Sequence, residues 1–372
     1  VLFITRLKTY KEKKVQKLTN KELLENLLNI PSPSGYESNI AEFIYGYLSQ
    51  YVSASCIDID KNNNVIVNLN HDSDKTVMID AHLDEIGFMI NNIDRWGSIG
   101  LKYIGGGDST ILSARHLNIL TDNGIVNAVV DRKHAHLVYD EDDENIYSPS
   151  QADVDIGIRD RVAILKKIKI GDPVVYQSFF QELTPKYFTG YGFDDKSGCF
   201  ILIESIKKIM QSKIKPSVNL IYVFSAQEET GSKLYPVVHQ YNPDLVIEAD
   251  VTFATDYGSA DELEREAGRC ELGKGITLFR GVDIDSKCLD LILNIAKKNK
   301  IDYQIQACAG GDDGGYTSLS VVNEGLGTKA LVFGIPLRSM HTPVEIIHMD
   351  DLIGGTKLLT HFLQNRKLKE LL

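Results

Sequence analysis

Residues 218–224 read Val-Asn-Leu-Ile-Tyr-Val-Phe, a nearly continuous apolar run that suits a strand buried on both faces. Such a strand needs neighbouring strands and helices above and below it. The rest of the chain supplies both. Apolar runs at 65–67, 77–79, 245–247 and 330–333 read as further strands. Helical spacing recurs at 197–210, with Leu202, Ile203 and Ile206 on one face, at 287–298 behind a cap at Asp285 or Ser286, and at 352–363. Thr19 and Glu22 fit a capping box ahead of Leu23, Leu24, Leu27 and Leu28. Ser34 and Glu37 fit a second one ahead of Ile40, Phe43, Ile44 and Leu48. Alternating strands and helices predict an α/β fold: a mostly parallel sheet with helices on both faces.

Residues 90–187 break that alternation. They are rich in Gly and β-branched residues and lack helical periodicity. Residues 116–130 read as a hairpin around Asp122-Asn123-Gly124, and 167–176 as a further strand pair. This predicts an all-β, barrel-like domain at 90–187, inserted into a catalytic domain made of 1–89 and 188–372.

With 372 residues the chain is long enough for two such units. A formal charge of -11 repels phosphate, which argues against nucleic acid and anionic membranes as partners. The acidic run 140–144 reads as a solvated loop. The five cysteines include no C-x-x-C spacing, which points to reduced thiols and a cytoplasmic protein. The opening Val1-Leu2-Phe3-Ile4 is too short for a secretory or membrane-spanning segment.

Polar residues gather where the apolar runs stop, and in open α/β sheets that is where sites form. Val77-Met78-Ile79 runs into Asp80-Ala81-His82-Leu83-Asp84-Glu85. His82 and Asp84 share a side of an extended strand, so Asp84 either supports a metal-binding His82 or orients another group. Asp194-Asp195 opens a helix, as an N-cap or as a carboxylate shared by two metal ions. Glu228-Glu229 follows a buried strand, where like charges call for a neutralising metal and one acid is free to act as general base. Asp250 ends another buried run, and His341 follows the strand at 330–333. Each segment alone has a structural alternative. Together, His82, Asp194, Glu229, Asp250 and His341 offer oxygen and imidazole donors, enough for two zinc- or cobalt-class ions sharing one carboxylate. Such a pair activates a shared water and polarises a carbonyl.

With these residues in view, the chain resembles the TET-type metallo-aminopeptidases, a family that includes glutamyl and deblocking aminopeptidases and members labelled cellulase or endoglucanase. The resemblance runs from Leu23 to Leu363. It rests on Pro-Ser-Gly-Tyr-Glu at 33–37, Ala-His-Leu-Asp-Glu-Ile-Gly-Phe at 81–88, Asp-Asp-Lys-Ser-Gly at 194–198, Glu-Glu-Thr-Gly at 228–231, Asp-Val-Thr at 250–252, Gly-Gly-Asp-Asp-Gly at 310–314 and Arg-Ser-Met-His-Thr-Pro-Val-Glu at 338–345. The resemblance implies that Asp194 bridges two ions, with His82 and Asp250 completing one site and Glu229 and His341 the other. It implies Glu228 as the general base toward a metal-bridging water, Asp84 as support for His82, and a cis peptide bond between Asp194 and Asp195. It also implies peptide substrates cut at the N-terminus, and dimers that assemble into a dodecamer through the inserted domain. Arg338 has three readings: a contact to a substrate carbonyl, a contact to an acidic side chain, or a brace for Glu345.

The sequence departs from the family at Lys196, commonly Arg, at Ser339, commonly Tyr, at 311–313, commonly Gly-Thr-Asp, and at 130–137, where His134 and His136 read as surface residues. Competing readings are a related metal-dependent deacylase or carboxypeptidase and a non-catalytic shell protein. A glycosidase would leave five metal-type ligands without a purpose.

Overall fold

The computed structural model describes residues 18–69, 72–132, 134, 136, 148–258, 260–309 and 327–372. Strands β1 (Ile57–Ile59), β2 (Val65–Leu69) and β3 (Thr76–His82) begin an eight-stranded sheet. The chain then builds a closed barrel from β4 (Gly87–Ile93), β5 (Ile99–Ile104), β6 (His116–Thr121), β7 (Gly124–Val130), β8 (Val154–Asp155) and β9 (Pro173–Tyr176). It returns through β10 (Phe180–Thr184) and β11 (Tyr187–Gly190). The large sheet is completed by β12 (Asn219–Ser225), β13 (Leu245–Phe253), β14 (Ile276–Gly281), β15 (Tyr303–Cys308) and β16 (Lys329–Leu337). A last strand, β17 (Glu345–His348), pairs with β11 in a small antiparallel sheet.

The large sheet has the order β1-β2-β12-β3-β13-β16-β14-β15. Its centre, β12-β3-β13-β16, is parallel, while β1, β2 and the β16–β14 junction are antiparallel. Leu220 to Ser225 are all buried, which requires cover on both faces and accounts for the missing alternation in that run.

The helices are α1 (Asn20–Leu28), α2 (Ser38–Leu48), α3 (Arg161–Ile164), α4 (Phe193–Gln211), α5 (Glu228–Gly231), α6 (Leu234–Tyr241), α7 (Asp261–Ala267), α8 (Ser286–Asn299), α9 (Met349–Leu363) and α10 (Lys367–Leu371). Helix α4 lies across β3 and β13 and packs on α9. The Thr19–Glu22 capping box forms and buries Leu23, Leu24, Leu27 and Leu28. Asp285, not Ser286, caps α8 by accepting the Cys288 N–H.

Three local readings need correction. The Ser34–Glu37 capping box does not form. Ser34 Oγ meets Thr230 Oγ1 at 2.6 Å, and Glu37 turns inward to other backbone amides. Residues 167–176 hold one strand, β9, rather than a pair. Ile164 and Ile168 bury one helical turn apart, and the Lys169 N–H donates to Asp172 Oδ2 at 2.8 Å, which makes a turn. Asp250 does not end its strand, because β13 continues to Phe253. Pairing of β13 with β3 stops at Glu248, however, so Asp250 lies where the two strands separate.

The barrel has its own apolar interior. Phe88 stacks on Tyr103 and meets Tyr176 edge-on, both at 5.4 Å between ring centroids. Its hairpin turns at Asp122-Asn123, pairing Thr121 with Gly124.

Candidate active site

His82 is the last residue of β3 and lies in register with Ser225 of β12. Its backbone N–H donates to Asp195 Oδ2 at 3.2 Å. On the ring, Nδ1 is 3.1 Å from the Asp84 carbonyl and 3.6 Å from Asp84 Oδ1. That leaves Nε2 facing Asp194 Oδ1 at 3.1 Å and Asp250 Oδ1 at 3.8 Å. From the opposite side, His341 Nε2 approaches Asp194 Oδ2 at 3.2 Å and Glu229 Oε1 at 3.4 Å. The two oxygens of Asp194 therefore face two different pairs, His82 with Asp250 and His341 with Glu229. The Asp194–Asp195 peptide bond is cis.

Buried carboxylates hold the loops that carry these groups. Asp84 accepts the backbone N–H groups of Glu228 at 2.9 Å and Glu229 at 3.0 Å. Glu37 accepts those of Gly35 at 2.6 Å and Gln227 at 3.1 Å. Gln227 has a left-handed backbone with φ 59°, which turns the chain out of β12 into α5. Glu345 accepts the N–H of Phe193 at 2.7 Å through Oε2 and that of His341 at 3.1 Å through Oε1. One carboxylate thus ties the Asp194 loop to the His341 loop. Register explains the placement, since Glu345 opposes Gly190 where β17 pairs with β11.

The barrel reaches this cluster through Gly105 and Gly106, just beyond β5. A Cβ at Gly105, where φ is +75°, would lie 3.3 Å from the Glu229 Cβ. One at Gly106 would lie 3.7 Å from His341 Nδ1. A side chain at Gly105 would press on Glu229, whereas a Cβ at Gly106 would only touch the His341 ring.

The electrostatics are those of too much negative charge in too little water. Burial pushes Glu228 up to about 7, aided by the like charges of Glu229 and Asp84, against the pull of His82. Burial likewise raises Glu229 and holds Asp250 well above the usual carboxylate range. Asp194 goes the other way. Against its burial, hydrogen bonds from His341 and His82 hold it below that range. Burial opposes protonation of His341, yet Asp194 and Glu229 raise it to about 11. Bound cations would relieve the same imbalance.

Ligand-type atoms of His82, Asp194 and Glu229 lie within 4.8 Å of one another, and so do those of His82, Asp195 and Asp250. The donors are carboxylate oxygen and imidazole nitrogen, a set that fits divalent zinc- or cobalt-class ions. A cavity of about 520 Å³ opens beside them, lined by Glu228 and the five grouped residues His82, Asp194, Glu229, Asp250 and His341 among others.

Arg338 is not among the cavity's lining residues. Its Nε and Nη2 donate to Asp256 at 2.7 and 2.6 Å, so its guanidinium braces Asp256 rather than Glu345. The Lys196 ammonium is buried against Glu85 and the Ile30 carbonyl. The motif at 310–314, the acidic run 140–144 and the opening residues 1–4 lie outside the described residues. His134 and His136 are exposed. Among the described residues no helix is long and apolar enough to cross a membrane.

An α/β sheet with histidines and acids converging on one aspartate beyond its strands has the architecture of a metal-dependent hydrolase. The profile of the M42 glutamyl aminopeptidases matches residues 63–358. An aminopeptidase-named protein of Acetivibrio thermocellus is 30% identical over 91% of this chain and 96% of its own length. The lysyl aminopeptidase of Pyrococcus furiosus is 28% identical over 93% of this chain and 97% of its own. Among solved structures, PhTET1-12s, a dodecamer in the asymmetric unit, superposes with a TM-score of 0.79 at 27% identity, covering 93% of this chain and 99% of that one. The chain belongs to the TET-type M42 aminopeptidase family, and its reaction class is peptide-bond hydrolysis.

Proposed function

We propose that this enzyme removes N-terminal residues from peptides at a site for two divalent ions, zinc or cobalt. The observation that carries the reading is the division of Asp194 between two partner pairs. His82 and Asp250 would hold one ion, Glu229 and His341 the other, and Asp194 both. Once bound, the ions supply Lewis acidity toward water and toward the scissile carbonyl. Glu228 borders the cavity and takes the proton from the attacking water, then delivers it to the leaving amine. Asp84 assists twice, through the carbonyl that orients His82 and the carboxylate that holds the Glu228 and Glu229 amides.

We infer further that 90–187 is an inserted domain serving assembly, within a catalytic domain of 1–89 and 188–372. A homo-oligomer of dimers, up to a dodecamer, accords with the assembly of PhTET1-12s. All five cysteines are free thiols, which supports a reducing, cytoplasmic setting.

The test is to strip the protein with chelator and assay aminoacyl-nitroanilides with and without Zn²⁺ or Co²⁺, with Glu228→Gln alongside. Metal-dependent release that is lost in the variant supports the reading. Two bound ions without release from any substrate would favour a deacylase or carboxypeptidase. Failure to bind metal would remove the ligand assignment and favour a shell protein.

A further inference from the structure

The cavity beside the cluster is lined by two kinds of residue. One kind is the acids and histidines described above. The other is Val251, Phe253 and Met340, together with Gly231. Both kinds come from the same segments. Val251 and Phe253 follow Asp250 along β13, and Met340 immediately precedes His341. A substrate amine and carbonyl drawn to the polar residues would therefore bring the first side chain within reach of the apolar ones.

Among the described residues, that wall carries no charge. Among the described lining residues every acid belongs to the catalytic cluster, and the only basic side chains are its two histidines. Arg338 and Asp256 neutralise each other through two hydrogen bonds, which leaves neither to pair with a charged substrate side chain. An ionised side chain placed there would lose hydration and gain no partner.

We propose that Phe253 and Met340, with Val251, form the pocket for the N-terminal side chain, and that it selects uncharged apolar residues such as Leu and Met over Glu and Lys. This rests on the aminopeptidase reading and deepens it.

The experiment compares kcat/KM for Leu-, Met-, Glu- and Lys-nitroanilides on the metal-loaded enzyme. It also titrates free L-methionine, L-glutamate and L-lysine calorimetrically, a readout independent of turnover. Leu and Met are expected to exceed Glu and Lys by at least about tenfold, as an apolar pocket discriminates. Met340→Glu is expected to shift the Lys-to-Leu ratio toward Lys by about tenfold. Phe253→Glu provides the same test away from His341, with metal content measured in both variants. Preference for Glu or Lys in the native enzyme, or an unchanged ratio in both metal-loaded variants, overturns the pocket. Tight methionine binding with no turnover of any substrate leaves the pocket standing and removes the aminopeptidase reading instead.

Discussion

The barrel interior and the site at the strand ends of the large sheet are held by opposite means. The barrel interior is apolar and aromatic, with Phe88, Tyr103, Tyr176 and Tyr191 in successive ring contacts. Beneath the large sheet's strand ends the α/β domain buries Glu37, Asp84, Asp194, Asp195, Asp250 and Glu345 within a few residues of one another's loops. Side-chain packing holds the first. Backbone amides donated to buried carboxylates hold the second. Apolar packing tolerates small adjustment, whereas an acid accepting two amides from different loops allows one geometry only. The region built for chemistry is therefore the one whose positions are set by directional bonds.

The contrast is tested most sharply by Glu228→Gln. It should lower turnover by about 10²–10⁴-fold, the usual worth of a general base, with metal content and unfolding midpoint unchanged. In the barrel, Ile119→Ala should do the reverse. Ile119 is fully buried, and its truncation should cost about 2–5 kcal/mol of stability in urea titration while the metal-loaded folded enzyme keeps its kcat. Equal losses of activity and stability in both variants would erase the distinction.

Glu37 gives the pH dependence. Burial, with the like charge of Asp84, raises its carboxyl from 4.5 to about 7 despite three backbone hydrogen bonds that pull it down. The folded state therefore binds a proton that the unfolded state has released. The stabilisation is complete below about 4.5 and is lost as pH rises toward about 7. Glu37→Gln keeps an oxygen acceptor for Gly35 and Gln227 but removes the titration. Its stability should fall less between those pH values, by up to about 3 kcal/mol.

The smallest expected effect is at Glu345→Gln. An amide replaces one of two acceptor oxygens and loosens either the Asp194 loop or the His341 loop. Metal affinity, measured by chelator competition, should fall by about 10–100-fold, and the Co²⁺ absorption spectrum should change with it. An unaltered spectrum and affinity would make Glu345 a packing residue only.

How much of this could be read beforehand depended on whether a residue acts through its neighbours in sequence or across the fold. The alternation, the Thr19–Glu22 cap, the hairpin at 122–124 and the acids and histidines of the cluster are local patterns. Composition and spacing disclose them. The structure gathers His82, Asp194, Glu229, Asp250 and His341 into one cluster, although Asp250 lies inside its strand. Glu37 was misread because a Ser-x-x-Glu spacing looks the same whether the acid turns back to a cap or crosses to Gln227, 190 positions away. Arg338 was open for a similar reason: Asp256, its partner, lies 82 positions earlier. Asp195 stood in plain view beside Asp194, but nothing local says that it accepts the backbone N–H of His82.

The sequence by itself determined the kinds of element and the identity of the acids and histidines that lie near the ends of the buried runs. Periodicity and side-chain identity are properties of short segments. The tertiary structure alone decided which oxygen of Asp194 faces which histidine, which acids clamp which amides, and that Gly105 and Gly106 beyond the barrel strand β5 border the cluster. Those relations join residues distant in the chain, and their directions depend on strand register and crossing that no short segment contains.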